Sequence, residues 1–147
     1  MLVEIRDLVK KYKDLTALDH FDLSINEGDR LALLGPNGCG KTTAINCIMG
    51  LLKFNSGSVK VFGEDMGPDK DAIKARIGLV PQDIVVSDNL NVRENIDYFC
   101  GLYEKNSIKR KEMVDEAIRF TQLKDYQKFF PKKLSGGLKR RLNIACG

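Results

Sequence analysis

The chain has 147 residues, of which 43% are hydrophobic and 30% charged, and its net charge is +4. This length corresponds to about one domain, and the composition is that of a globular protein able to bury a core. The charge is too small to indicate nucleic-acid binding by itself. The four cysteines form no CxxC pair, which argues against a disulfide framework or a metal site. The longest nearly apolar run, residues 47–52, is too short to cross a membrane.

Strands are predicted mainly in the first half of the chain. Residues 2–9 favour a strand, and Phe21, Leu23 and Ile25 alternate with polar residues, as in a strand with one solvated face. Unbroken apolar runs at 31–34 and 77–81 indicate two further strands, each buried on both faces. Such strands are typical of a parallel sheet covered by helices.

Helices are predicted for residues 41–52 and for most of the chain after residue 91. Apolar residues recur there at helical spacing, first Val92, Ile96, Phe99 and Tyr103, then Met113, Val114, Ala117 and Ile118. Leu142, Ile144 and Ala145 indicate the apolar stripe of a last helix.

Residues 35–43 read GPNGCGKTT and fit the pattern G-x-x-x-x-G-K-[ST]. In such a loop the backbone N–H groups surround phosphates, the lysine neutralises the outer phosphates and the hydroxyl ligates Mg²⁺. A glycine-rich turn formed by chance is the alternative, but the position between a predicted buried strand and a helix favours a nucleotide site. The predicted nucleotide-binding residues are Gly35, Pro36, Asn37, Gly38, Cys39, Gly40, Lys41, Thr42 and Thr43.

With this loop placed, the order of the motifs resembles the nucleotide-binding domain of ABC transporters. LVKKYKDLTAL at 8–18 resembles the segment whose aromatic residue, here Tyr12, stacks on adenine. LVPQD at 79–83 resembles the loop whose glutamine, here Gln82, contacts Mg²⁺ and the attacking water.

Two further segments carry the same resemblance. LNVRENI at 90–96 is similar to the start of the family's helical subdomain, and LSGG at 134–137 is similar to its signature. The signature residues Ser135, Gly136 and Gly137 are then expected to bind the γ-phosphate of a nucleotide held by Lys41 of another copy.

The resemblance implies an α/β fold with a P-loop core, an antiparallel β subdomain and an α-helical subdomain. Residues 1–82 would form the β subdomain and core, and residues 83–147 the glutamine loop and helical subdomain. It also implies ATP and Mg²⁺ as cofactors, with Lys41 and Gln82 as catalytic residues and Thr42 and Gln82 at the metal. The implied partners are a second ATP-binding domain, head to tail, and a transmembrane permease. The chain itself would be cytoplasmic and held at the inner face of the cell membrane by that permease. No nucleic-acid partner is expected.

The sequence departs from the family pattern in two respects. Leu138 stands where the signature often has glutamine, and the KRR that follows resembles the branches that export drugs, ions or lipids. The family's acidic strand, catalytic glutamate and switch histidine would lie beyond residue 147. We therefore expect a truncated domain that does not hydrolyse ATP by itself.

Other functions share some of these motifs. A P-loop kinase also satisfies the phosphate-loop pattern but has no reason to carry LSGG. A DNA-repair relative needs a long coiled coil between its motifs, and the stretch from Gln82 to Ser135 is too short for one. A soluble ABC ATPase without a transport role remains open.

Single residues also have simpler interpretations. Tyr12 could be an edge-strand aromatic, Gln82 a solvated loop residue and Ser135 a plain helix cap. For His20 we expect a surface or hydrogen-bonded structural role. Lys132, Lys133 and residues 139–141 could form a nucleic-acid patch, but we expect a solvated helix face.

Overall fold

The computed structural model describes all residues from Met1 to Gly147 and divides them into two compact units, Met1–Ile77 and Gly78–Gly147. This division falls a few residues before the predicted boundary at residue 82. The first unit contains β1 (Val3–Tyr12), β2 (Leu15–Ile25), α1 (Lys41–Ile48), β3 (Ser56–Val61), β4 (Glu64–Asp65) and the single turn α2 (Asp71–Lys74). The second contains α3 (Val92–Gly101), α4 (Ser107–Phe120), α5 (Gly136–Cys146) and two short 3₁₀ turns at Lys124–Tyr126 and Pro131–Lys133.

The first unit is built on an antiparallel sheet with the strand order β2-β1-β3-β4. Strands β1 and β2 form a long hairpin whose register runs from the Val3–Ile25 pair to the Tyr12–Leu15 pair. The strands predicted at 2–9 and around Phe21 are therefore confirmed, although each is longer than the sequence pattern indicated.

A bulge at Asp7 changes which β1 side chains face the core. Asp7 has a left-handed backbone with φ of 51°, and its N–H donates to the Asp22 carboxylate over 2.9 Å. The bulge shifts the alternation by one residue, so that Ile5 and Leu8 both point inward and are fully buried. Helix α1 packs against this core through Ala44 and Cys47.

The strands predicted at 31–34 and 77–81 do not form. Both segments are irregular, and Leu34 is 89% exposed. A strand must pair its backbone groups with a neighbour, and within residues 1–147 the sheet offers these segments no neighbouring strand. The prediction of strands at 31–34 and 77–81 was wrong for this structure, because apolar composition does not supply hydrogen-bond partners.

Helix α1 is also shorter than the predicted 41–52. Gly50 adopts a left-handed backbone with φ of 62°, and the Leu51 N–H donates to the Asn46 carbonyl over 2.9 Å. This is the hydrogen bond of a Schellman motif, which ends a helix at a left-handed glycine.

The second unit packs α3, α4 and α5 around one apolar cluster. Val92, Ile96, Val114, Ile118 and Leu142 are all buried in it, as their helical spacing predicted. Tyr103 lies beyond the end of α3, however, and Met113 and Ile144 are exposed. At the start of α3, Asn91 and Glu94 form a capping box.

Candidate functional site

The phosphate loop ends where α1 begins, and the backbone N–H groups at the start of this helix are free to donate hydrogen bonds. Gly40 is the N-cap and has no side chain to accept a hydrogen bond, and the first turn of α1 contains no acidic residue. The first N–H groups of a helix have no partner within the helix, and the helix dipole adds partial positive charge there. The start of α1 is thus suited to an anion, and its chemistry fits the phosphates of a nucleotide.

The Lys41 side chain folds back over the loop. Its Nζ donates to the carbonyls of Gly35 (2.8 Å) and Pro36 (2.7 Å) and lies 3.6 Å from Cys39 Sγ. Neutral carbonyls and a thiol are weak partners for an ammonium compared with charged oxygens. Lys41 can therefore exchange them for phosphate oxygens.

Gly40, in the phosphate loop, packs directly against the β1–β2 hairpin. Its φ is 90°, and a Cβ at this position would collide with the Ala17 carbonyl oxygen and touch Leu18 Cδ2 at 3.0 Å. Tyr12 lies at the tip of the same hairpin with its ring partly exposed, and the Lys10 ammonium sits 4.8 Å from the ring centroid. The hairpin that carries the predicted adenine-stacking residue thus contacts the loop predicted to hold the phosphates.

We predict that Gly40→Ala is more damaging than Gly38→Ala. Both glycines have a left-handed backbone, but a Cβ at Gly38 would meet nothing within 4 Å. The backbone conformation should cost each variant about 1–2 kcal/mol, and the collision should add about 1–3 kcal/mol at Gly40 alone. Thermal unfolding and the Kd for Mg-ATP measure the difference, and equal losses in the two variants would show that the hairpin contact is unimportant.

In the second unit, two side chains of α5 hold the loop of residues 81–85, here called the Gln82 loop. Arg140 Nη1 donates to the carbonyls of Pro81 and Gln82, each over 2.9 Å. Asn143 accepts from the Val85 N–H (3.0 Å) and donates to the carbonyls of Pro81 (3.2 Å) and Asp83 (3.3 Å). The Gln82 side chain itself is exposed. The backbone of this loop is therefore attached to α5.

The signature segment forms the start of α5. Ser135 is its N-cap, and the hydroxyl accepts from the Leu138 N–H over 3.3 Å, so the simple capping role is present. Gly136 and Gly137 are exposed, their φ angles are ordinary, and a Cβ on either would meet no atom within 4 Å. Nothing inside the chain requires glycine at these two positions.

The predicted site residues are thus distributed over both units. The first unit brings together Tyr12, the loop from Gly35 to Gly40, Lys41, Thr42 and Thr43, and the second contains Gln82 and the Ser135 segment. His20 has the structural role expected of it. Its Nδ1 lies 2.5 Å from Asp7 Oδ1, and the hydrogen bond and charge of that carboxylate raise the pKa of His20.

A protein-family model described as ABC transporter matches residues 18–147. The chain belongs to the ABC transporter family. A dimeric structure of the ATP-binding cassette MJ0796 in a post-hydrolysis state with ADP and Pi superposes on it with a TM-score of 0.79 at 26% identity. That match covers 99% of this chain and 68% of the cassette. The fold expected from the sequence, an incomplete α/β ATPase of the ABC type, is thereby confirmed.

Curated relatives include an import protein and an antibiotic-named transport protein, bacitracin transport protein BcrA. The spermidine/putrescine import ATP-binding protein PotA of Pasteurella multocida is 34% identical over 144 residues, covering 98% of this chain and 39% of PotA. The bacitracin transport ATP-binding protein BcrA of Bacillus licheniformis is 35% identical over 147 residues, covering 98% and 46%. The chain thus spans less than half the length of these curated relatives.

Three contacts in this ABC domain were missed from the sequence. Arg140 was expected on a solvated helix face, yet its guanidinium binds the Gln82 loop. The signal that could have found Asn143 is its position between Leu142 and Ile144 in a predicted amphipathic helix, since an asparagine buried there needs hydrogen-bond partners. The position of Lys10, two residues before Tyr12 and on the same side of the strand, could have indicated its contact with the ring.

Proposed function

We propose that this chain is the ATP-binding part of a subunit that powers an ABC transporter. The observation that carries the proposal is the start of α1, where uncapped N–H groups and the Lys41 ammonium lie beside a glycine-rich loop without any carboxylate in the first turn. This arrangement fits the triphosphate of ATP. The cassette similar to it was found with ADP and Pi.

Each predicted residue has a role in this proposal. Tyr12 stacks on adenine, the loop and Lys41 hold the β- and γ-phosphates, and Lys41 stabilises the charge that develops during transfer. The Thr42 hydroxyl and the Gln82 side chain would hold Mg²⁺, to which oxygen ligands are suited. Gln82 would also orient the attacking water. Bound Mg²⁺ supplies charge neutralisation at the phosphate oxygens.

The proposed active form is a head-to-tail dimer. The signature residues Ser135, Gly136 and Gly137 then bind the γ-phosphate of the nucleotide on the partner domain. Support comes from the unfilled space around both glycines, which permits close approach of an anion to the start of α5. The structurally similar cassette was found as a dimer.

The proposed partner is a membrane-spanning permease, which would hold this chain at the inner face of the cell membrane. The helices of this chain are too short or too polar to cross a bilayer. Leu138 and the basic residues after it support an exporter of the drug, ion or lipid type, and the similar protein BcrA is a bacitracin transport ATP-binding protein. PotA, an import protein, is equally similar, so the direction of transport rests on the signature residues alone.

The test of this function exploits two exposed apolar residues of the Gln82 loop. Ile84 and Val85 are 41% and 53% exposed, and we propose that they contact the permease. In the full-length protein, Ile84→Glu combined with Val85→Glu should abolish the stimulation of ATP hydrolysis by the permease, because charged groups would be buried at the contact. Mg-ATP binding should be unchanged.

Phe120→Glu is the matched control, since Phe120 is an apolar residue of α4 that is 80% exposed. It should retain full stimulation, measured as ATP turnover in the reconstituted complex. Stimulation that survives in the double variant would place the permease contact elsewhere, and a wild-type complex that does not hydrolyse ATP would refute the proposed function.

A further inference from the structure

The strongest unexplained feature of the second unit is the number of hydrogen bonds between α5 and the Gln82 loop. Asn143 is almost completely buried, yet both ends of its amide are used on this loop alone. Arg140 lies one turn earlier and binds the same loop with a single nitrogen. Residues three apart lie on one face of a helix, so both side chains act from the same face of α5.

The two side chains recognise backbone atoms only. They bind the carbonyls of Pro81, Gln82 and Asp83 and the N–H of Val85, so the path of the loop is held independently of its side chains. Hydrogen bonds from a charged donor contribute more than neutral ones, and the Arg140 guanidinium supplies two of them. The Gln82 side chain is left exposed at the middle of the held segment.

The same helix begins at the signature. Ser135 caps α5, and the residues that hold the loop follow within its next turns. A helix of this length moves as a rigid element, so a displacement of its N-terminus also displaces Arg140 and Asn143. Helix α5 thus connects the proposed γ-phosphate contact at its N-terminus with the loop that carries Gln82.

We propose that Arg140 and Asn143 are positioning residues that clamp the Gln82 loop to the signature helix, so that engagement of Ser135 with a nucleotide sets the position of Gln82. The clamp rests on the proposed function. It adds that the signature and Gln82 of the same domain are mechanically linked. Both side chains contact the backbone of the loop, and in this proposal neither acts on the nucleotide directly. Their effect on turnover passes through Gln82.

The test uses Arg140→Met in the full-length protein with its permease. Arg140 is exposed, and methionine keeps part of the apolar stem, so the variant should fold normally. Loss of a residue that orients a metal-binding group typically costs 10–100-fold. We therefore expect kcat to fall about tenfold while KM for ATP stays unchanged, as for an interaction made only in the transition state. Arg140→Lys, which keeps a cationic donor, should retain most of the activity.

Arg141→Met is the matched control. Arg141 is the next residue, and its guanidinium contacts the Gln122 side chain and not the loop. This variant should stay within about twofold of wild type, as expected for an exposed surface contact. Asn143→Ser, whose side chain is too short to reach the loop, should show the same loss in kcat as Arg140→Met.

A double-mutant cycle with Gln82→Ala separates positioning from general stabilisation. If Arg140 acts through Gln82, Arg140→Met should change kcat by less than about twofold in the Gln82→Ala background. A full further tenfold loss there, or an equal loss in Arg141→Met, would overturn the clamp. Normal turnover by Arg140→Met in an active wild-type background would also overturn it without affecting the proposed function. A wild-type complex without ATP turnover would refute the proposed function itself.

Discussion

Lys41→Ala should lower the affinity of the full-length protein for Mg-ATP by about a hundredfold. Hydrogen bonds to charged groups contribute about 1.5–3 kcal/mol each, and Lys41 already makes two bonds, to Gly35 and Pro36, which phosphate oxygens would replace. Losing two such bonds to phosphate costs about 3 kcal/mol, and each 1.4 kcal/mol is a factor of ten in Kd. Titration calorimetry with Mg-ATP measures the loss.

Two controls separate binding from folding in this experiment. Lys53→Ala removes an exposed lysine that follows the first helix and should leave the Kd unchanged. Thermal unfolding of Lys41→Ala should remain close to that of wild type, because the bonds it loses lie on the exposed surface of the loop. Affinity within threefold of wild type would move the nucleotide site away from residues 35–43.

Mixing two inactive full-length variants should restore ATP-dependent dimerisation. Lys41→Ala removes the phosphate contact, and Ser135→Arg fills the open space beside Gly136 and Gly137. In a head-to-tail dimer of the two variants, one of the two composite sites combines an intact Lys41 with an intact Ser135. Light scattering in Mg-ATP should therefore detect dimers in the mixture and none with either variant alone.

The control mixture pairs Lys41→Ala with the double variant Lys41→Ala, Ser135→Arg, which leaves no intact site and should give no dimers. Ser135→Ala measures the capping contribution alone, because the hydroxyl that accepts from Leu138 is lost without added bulk. Removing such a cap costs about 0.5–2 kcal/mol of stability. If the first mixture forms no dimers in Mg-ATP although both proteins are folded, Ser135 is a helix cap and has no contact with a second nucleotide.

Local features of this protein were predictable because their causes are local. The phosphate loop and the LSGG segment are short patterns, and a helix begins within each of them. The β1–β2 strands and the buried positions of α3 and α4 follow from periodic spacing of apolar residues. Since these patterns need only neighbouring residues, the sequence was sufficient to predict them and the family they indicate.

Other features depended on partners far along the chain. The apolar runs at 31–34 and 77–81 have the composition of buried strands, but strand formation needs neighbours that are not present in residues 1–147. The contact of Gly40 with Ala17 arises only when the hairpin folds over the phosphate loop. Arg140 reaches Pro81 and Gln82 across about sixty residues of chain. Spacing along the sequence carries no information about such distances, because packing of whole elements decides them. For this chain, sequence was enough to propose which segments carry the chemistry, and the tertiary structure decided which of them are held together.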